Sequence, residues 1–434
     1  MATGQDAKIG DSGDRLKVLW IANVPLPEAN ELRGKAPTPF GGWLAAASHS
    51  LAEQVDLSVA SLGNRWSDHR PVRGERITHY EFSPEPDTKV PGSILAAIID
   101  SVDPDIVHIF GTEYRHARDA AELCAAEGRP FVISIQGLVS VIPTHYMHGI
   151  PTGVQERFTL RDLLRWDNIR LQQRAMQKRG ADEIAALRLA SHAIGRTMWD
   201  EACAMQINPS VHYHKCNESL RASFYDTEWS LQSCERHTIF VSQGSYPVKG
   251  LHFMLEAMPI ILKRFPRARL FVAGQDVTGG RSLASRLKVT SYGKYIRELI
   301  RKNGLDDRVT FTGLLDEPAM RSRYLQSHVF ALTSTIENSP NSLGEAMLLG
   351  VPCVAAAVGG VTDMARPDVD ALTYQADAPY MLAHQICRVF SDDDLAERLS
   401  RNARSRAQMT HDIERNTATQ VAIYHSILNE VKAA

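Results

Sequence analysis

Short apolar runs rich in β-branched and aromatic residues recur along the chain, separated by stretches whose apolar positions repeat at helical spacing. Residues 17–22, 55–60, 105–110, 130–135 and 191–195 form a first series of such runs, and residues 238–242, 268–273, 308–312, 328–333 and 352–356 a second. Strands spaced by helices imply parallel sheets covered on both faces, so the pattern predicts an α/β protein of two doubly wound, Rossmann-like domains. Residues 219–233 show no clear period between the two series. The expected division is a flexible N-terminus at 1–14, an N-terminal domain at 15–218, a linker at 219–236, a C-terminal domain at 237–410 and a last helix at 411–434. Ligands of open α/β sheets bind outside the carboxyl ends of the strands, so two facing sheets put the site in the cleft between domains.

One strand-to-helix turn concentrates candidate chemistry. The apolar run 328–334 leads into Glu337-Asn-Ser-Pro-Asn-Ser-Leu-Gly-Glu345, where two carboxylates bracket the turn with seven residues between them. A helix starting there offers free N–H groups and a positive dipole end to an anion. Each carboxylate could then hydrogen-bond a different hydroxylated part of one ligand, which suits a nucleotide-sugar. Ser342-x-x-Glu345 also reads as a capping box, in which Glu345 would only satisfy the N–H of Ser342. A second turn, Gly244-Ser-Tyr-Pro-Val-Lys249-Gly250, follows the run 238–242 and precedes a helix expected at 251–262. Preorganised donors such as Lys249 would stabilise charge on a leaving phosphate.

Composition narrows the field. A chain of 434 residues with 44% hydrophobic content can bury two cores of ordinary size, and its formal charge of -2 is too balanced for nucleic-acid binding to be its main business. Cys124, Cys203, Cys216, Cys234, Cys353 and Cys387 form no CxxC pair, as expected of free thiols in a reducing compartment. No apolar run approaches a membrane span and the first residues lack a signal-peptide core, so a cytoplasmic protein is expected.

The block from Glu337 to Glu345, with the apolar strand and Gly359-Gly360 loop after it, resembles the E-x7-E segment of family 4 glycosyltransferases, retaining enzymes of the GT-B architecture. The loop from Gly244 to Gly250 is similar to that family's G-R-x(n)-K-G loop. The resemblance implies sugar transfer from a nucleoside-diphosphate sugar to a hydroxyl acceptor, a glycan, lipid-linked glycan or small molecule, with no cofactor and no metal. It implies that Lys249 binds the phosphate, that Glu337 stabilises and positions the sugar, and that Glu345 holds the ribose hydroxyls. Gly244 and the loop containing Asn338, Ser342 and Leu343 would also contact the donor. Gly42, in Gly41-Gly42-Trp43, is similar to the family's glycine near the donor diphosphate, although a plain helix-start turn reads equally well.

Two positions depart from the family pattern. Ser245 stands where the family usually has arginine, so either leaving-group stabilisation is weaker or another cation has moved in, with Arg196 as the candidate. Gln136 stands where the family has histidine and cannot carry a proton. These departures keep a non-catalytic sugar-nucleotide sensor open beside the transferase, and a sugar-nucleotide epimerase shares two facing α/β domains.

Other features carry less. His212, His214 and Cys216 alternate on one strand face like a metal half-site, but no second pair follows and no metal is expected. The loop 274–281 lacks the G-x-G-x-x-G order and reads as an insertion. Arg157, Arg161 and Arg165, continued in Arg174, Lys178 and Arg179, read as a solvated helix face or as a patch for peripheral contact with an anionic membrane. Ile413, Val421, Tyr424 and Leu428 share a helical face, and in proteins this chain resembles the last helix crosses back to the N-terminal domain.

Overall fold

The structure is a computed structural model and describes residues 15–36, 42–63, 70–83, 92–279 and 287–433. Residues 1–14, Gly41 and the end of the loop 274–281 lie outside the described residues. The first sheet contains β1 (Lys17–Ala22), β2 (Asp56–Leu62), β3 (Val72–Arg73), β4 (Ile77–Phe82), β5 (Ile106–Phe110), β6 (Phe131–Ser134), β7 (His192–Gly195) and β8 (His212–Lys215), in the order β3-β4-β2-β1-β5-β6-β7-β8. Only β3 runs antiparallel to its neighbour. The second sheet contains β9 (Glu235–Val241), β10 (Arg269–Val272), β11 (Val309–Phe311), β12 (Ser327–Leu332), β13 (Cys353–Ala356) and β14 (Leu372–Tyr374), all parallel in the order β11-β10-β9-β12-β13-β14.

The central strands are buried along nearly their whole length because helices cover both faces, so they read as continuous apolar runs rather than alternating ones. The edge strand β3, its partner β4 and the short β14 were not among the expected runs. In β4 the polar residues Thr78, His79 and Glu81 interrupt the apolar pattern, and His79 meets Glu28 at 2.7 Å.

The chain does not divide cleanly at the linker. Tyr146, Ile150, Val154 and Ile169, from the excursion between β6 and β7, pack into the core of the second sheet. Tying the halves together, Thr335 Oγ1 donates to the His145 carbonyl at 2.9 Å, and the Ser291 N–H donates to buried Asp162 at 2.8 Å. In the other direction, the last helix, Ile413–Ala433, lies on the first sheet. Its Tyr424 hydroxyl is fully buried and accepts from Trp20 Nε1 at 3.0 Å and Gln420 Nε2 at 2.6 Å, while His108 Nδ1 lies 2.6 Å away. Both crossings hold the carboxyl ends of the two sheets toward one cleft.

Candidate active site

A cavity of about 1040 Å³ fills this cleft, and the turns after β9 and β12 form its C-terminal wall. After β9, a short 3₁₀ turn at Pro247–Lys249 brings the lysine to the helix Leu251–Arg264. After β12, Glu337 faces it: Lys249 Nζ lies 2.6 Å from Glu337 Oε1, which also accepts from Ser334 Oγ at 2.6 Å. Burial alone would lower the lysine's proton affinity, but the adjacent Glu337 charge outweighs it and raises it, so Lys249 is a firm cation. The Gly359-Gly360 loop supports Glu337 from behind. A Cβ on Gly359, at φ +50, would lie 1.9 Å from the Glu337 carbonyl oxygen, and one on Gly360 would lie 2.3 Å from that of Asn338.

The helix Asn341–Leu348 starts after Pro340 with no side-chain cap, which removes the capping-box reading: Ser342 is already inside the helix. Glu345 instead accepts two hydrogen bonds from Arg221, Nε to Oε1 at 2.7 Å and Nη2 to Oε2 at 2.6 Å. Burial raises the Glu345 proton affinity and the arginine opposes it. Arg221 stacks over Phe224, 4.3 Å from its ring centre, and occupies space beside Gly42, where a Cβ would lie 2.8 Å from the arginine stem. The glycine at 42 therefore makes room for a side chain as well as lining the cavity.

The expected site residues divide accordingly. Gly42, Gln136, Arg196, Ser245, Lys249, Glu337, Ser342 and Glu345 all line the cavity. Gly244 lies beneath its floor, against Leu251 and Val272. Leu343 is turned into the core and its N–H is engaged by the Pro340 carbonyl at 2.9 Å, so Asn341 and Ser342 present the first turn to the cavity in its place. The Asn338 side chain serves the domain interface, accepting from Thr197 Oγ1 at 2.9 Å and donating to the Gln136 carbonyl at 3.3 Å. Arg196 is buried and held by Glu218 at 2.5 Å and by the Ile135 and Gln136 carbonyls, while Gln136 Nε2 also donates to Glu218 at 2.5 Å.

Residues 228–406 match the family described as Glycosyl transferases group 1. The match takes in most of the C-terminal half and none of the first sheet. An uncharacterized glycosyltransferase of Methanocaldococcus jannaschii, MJ1607, is 26% identical over 174 residues, 40% of this chain and 40% of its own length. The matched stretch thus spans under half of that relative. Similarity of fold extends across both domains: a sucrose-phosphate synthase from Thermosynechococcus elongatus superposes with a TM-score of 0.70 at 15% identity, covering 95% of this chain and 100% of its own. HepE of Anabaena, solved with UDP-glucose, gives a TM-score of 0.64 at 18% identity over 94% of this chain and 99% of its own. The architecture is GT-B.

Facing the C-terminal domain, the N-terminal domain adds a second cavity of about 440 Å³, which shares Gln136, Lys249, Glu337 and Ser339 with the first. Glu113, in the loop after β5, lines it. Its Oε1 accepts the Gly137 N–H at 2.9 Å, whereas its buried Oε2 has no hydrogen-bond partner. Burial, reinforced by the charge of Glu183, pushes the Glu113 carboxyl up to about 7. Neither Glu113 nor Arg221 stood out in the sequence. Arg221 sits in a segment without periodicity, and the value of Glu113 comes from a loop distant along the chain.

The expected basic face is broken up. Arg157 precedes the helix Leu160–Arg165 and pairs with Glu298 of the C-terminal domain at 2.9 Å, and Arg161 turns into the large cavity. In and beside the helix, Phe158, Leu160, Leu163, Leu164 and Trp166 are exposed together with Arg165, so the surface there is mostly apolar.

Proposed function

We propose that the protein transfers a sugar from a nucleoside-diphosphate sugar to a hydroxyl acceptor with retention of anomeric configuration and without a metal in the cleft. The observation that carries this reading is the Lys249–Glu337 pair, set at the meeting point of the two cavities beside an uncapped helix start. A donor diphosphate entering the larger cavity exchanges places with Glu337 as the partner of Lys249. The helix N–H groups of Asn341 and Ser342 complete its cradle. Glu337, released from the lysine, then faces the sugar as positive charge develops on the ring. The bond between the anomeric carbon and the diphosphate oxygen breaks with its electron pair, the acceptor oxygen bonds that carbon, and the acceptor proton passes to the departing phosphate. Glu345, with Arg221 behind it, takes the ribose hydroxyls.

The smaller cavity is the acceptor side. Glu113 lines it, and a carboxyl near 7 that turns its buried oxygen from the Gly111 backbone toward the cavity can accept or donate a hydrogen bond with an acceptor hydroxyl at neutral pH. HepE holds UDP-glucose in its solved complex, which makes a uridine diphosphate sugar the first donor to try. The apolar patch on the helix Leu160–Arg165, with exposed Arg165, Arg174 and Lys178 nearby, supports peripheral contact with an anionic bilayer. Among the described residues no helix is long and apolar enough to cross a membrane.

The test is release of nucleoside diphosphate from a panel of nucleotide-sugars with and without candidate acceptors. Acceptor-dependent release that survives EDTA, with a product of unchanged anomeric configuration, is expected. An epimerised nucleotide-sugar in place of release would support an epimerase, and binding without turnover a sensor. Activity abolished by EDTA and restored by Mn²⁺ or Mg²⁺ would remove the metal-free assignment.

A further inference from the structure

A second chemical centre lies away from the cleft, where the last helix meets the edge of the first sheet. β7 and β8 are parallel neighbours with His192 directly opposite His212, and His214 follows two residues along β8. Side chains at opposed positions, and at alternate positions of one strand, share a sheet face. The three imidazoles therefore cluster, with ring centres 5.3 to 5.7 Å apart. Glu430, near the end of the helix Ile413–Ala433, reaches over this cluster.

The distances are informative. Glu430 Oε2 lies 3.6 Å from His192 Nε2 and 3.7 Å from His212 Nδ1. Both separations exceed the usual range of about 2.7–3.2 Å for an N–H···O hydrogen bond, so the carboxylate sits midway between two ring nitrogens without bonding either. Ligands of a tetrahedral zinc ion, at bond lengths of about 2.0–2.1 Å, stand roughly 3.3–3.4 Å from one another. The three donor atoms all lie within 4.8 Å of each other, so a small contraction would close them on one ion. Among the described residues this is the one such group of histidine, cysteine, aspartate or glutamate.

The surroundings fit the same arrangement. His192 Nδ1 is 3.1 Å from His214 Nε2, a hydrogen bond that can fix the His192 tautomer and leave the Nε2 lone pair toward Glu430. Metal-bound histidines characteristically use their second nitrogen in this way. His192 is buried, whereas His212 and Glu430 are exposed and leave room for water as a fourth ligand. Cys216, next in the alternation on β8, takes no part; its buried thiol is directed to the Asn416 carbonyl at 3.5 Å. The missing half of the site comes from a neighbouring strand and the last helix, which is why spacing along β8 did not show it.

We propose that His192, His212 and Glu430 bind a divalent transition-metal ion of the zinc class, with His214 orienting His192, and that the ion clips the returning C-terminal helix to the edge of the N-terminal sheet. Two imidazoles and one carboxylate suit zinc, and cobalt is its spectroscopic substitute. The ion is a fastener and takes no part in transfer, so this inference and the metal-free cleft stand or fall separately.

The experiment uses the full-length, untagged protein stripped with chelator, then titrated with Zn²⁺ by calorimetry and with Co²⁺ by visible absorption. One equivalent should bind, Co²⁺ should show the intense d–d bands of a four-coordinate site, and Zn²⁺ should raise the melting temperature. His214→Ala should weaken Zn²⁺ roughly 10- to 100-fold, the range for losing a supporting partner, and His212→Ala and Glu430→Gln should weaken it further. Cys216→Ser should bind normally. Absence of stoichiometric binding, or affinity unchanged in both His212→Ala and Glu430→Gln, would overturn the proposal. Both variants change exposed side chains, and the melting temperature without metal checks that each is folded.

Discussion

Glu113 on the N-terminal wall of the cleft and the two carboxylates of the opposite wall are held in different ways. On the C-terminal side, carboxylates meet cations: Glu337 faces Lys249, and buried Glu345 is gripped by Arg221 from the linker. On the N-terminal side, Glu113 keeps one buried oxygen without a hydrogen-bond partner. A wall of paired charges is ready to exchange partners with an incoming dianionic diphosphate. A carboxyl held up toward its neutral form suits a neutral hydroxyl, which brings no charge to compensate. Under the proposed function, the donor and acceptor sides then differ in electrostatics as well as in position.

The comparison breaks most readily at Lys249. With serine at 245, fewer fixed charges share the phosphate, so Lys249→Ala should lower turnover by about two to three powers of ten with the fold intact by circular dichroism. Next comes the Arg221–Glu345 pair. Glu345→Ala should weaken donor binding by about 10- to 100-fold, the scale of a hydrogen bond to a charged group. It should also destabilise the protein by about 3 kcal/mol, because Arg221 is left buried without its carboxylate. The double change Arg221→Met with Glu345→Met should recover most of the stability and none of the donor affinity, measured by denaturant melts and calorimetry. Recovery of both would make the pair purely structural.

How far these residues could be read from sequence follows the same divide. The second sheet and its two turns were legible because each is local: an apolar run, breakers such as Pro340, and a helix start within a few residues. That locality brought Lys249, Glu337 and Glu345 into view together. Arg221 and Glu113 matter through partners distant in sequence, the carboxylate of Glu345 and the N–H of Gly137, and no periodicity announces such contacts. In the loop after β12, the contacts of the Asn338 side chain and the burial of Leu343 depend on which way a turn residue faces, which no periodicity announces either. Strand β4 escaped because its buried polar residues pair with neighbours that sequence does not reveal, as His79 Nε2 does with Glu28.

A smaller effect would sharpen the acceptor side. Glu113→Gln should raise the acceptor KM several-fold while leaving the donor KM unchanged. Its titration gives an independent signature. A carboxyl held up at about 7 when folded stays protonated where the unfolded chain has already ionised. Its stabilising contribution is complete below about pH 4.5 and is lost as pH rises through 7. The melting temperature of the wild type should therefore fall more steeply between pH 5 and 7.5 than that of Glu113→Gln. Parallel curves would place Glu113 outside this account.

The smallest effect is expected at Ser245. Because Arg196 is already held by Glu218 and two carbonyls, it has little freedom to replace a missing arginine at the phosphate. Ser245→Arg should then raise turnover modestly, and Arg196→Ala should act on stability more than on the chemical step. Harm from Ser245→Arg, together with a large loss of turnover in folded Arg196→Ala, would show that Arg196 fills the gap after all.

The central claim is that Lys249 and Glu337 work together at the anomeric centre, and one comparison tests it directly. Acceptor-dependent release of nucleoside diphosphate should be measured for the wild type, Lys249→Ala, Glu337→Gln and the double variant, each at saturating donor. Both single changes should suppress release strongly, and the double change should cost far less than the product of the two, as residues that act as a unit do. Release at wild-type rate in both single variants, or effects that simply multiply, would contradict it.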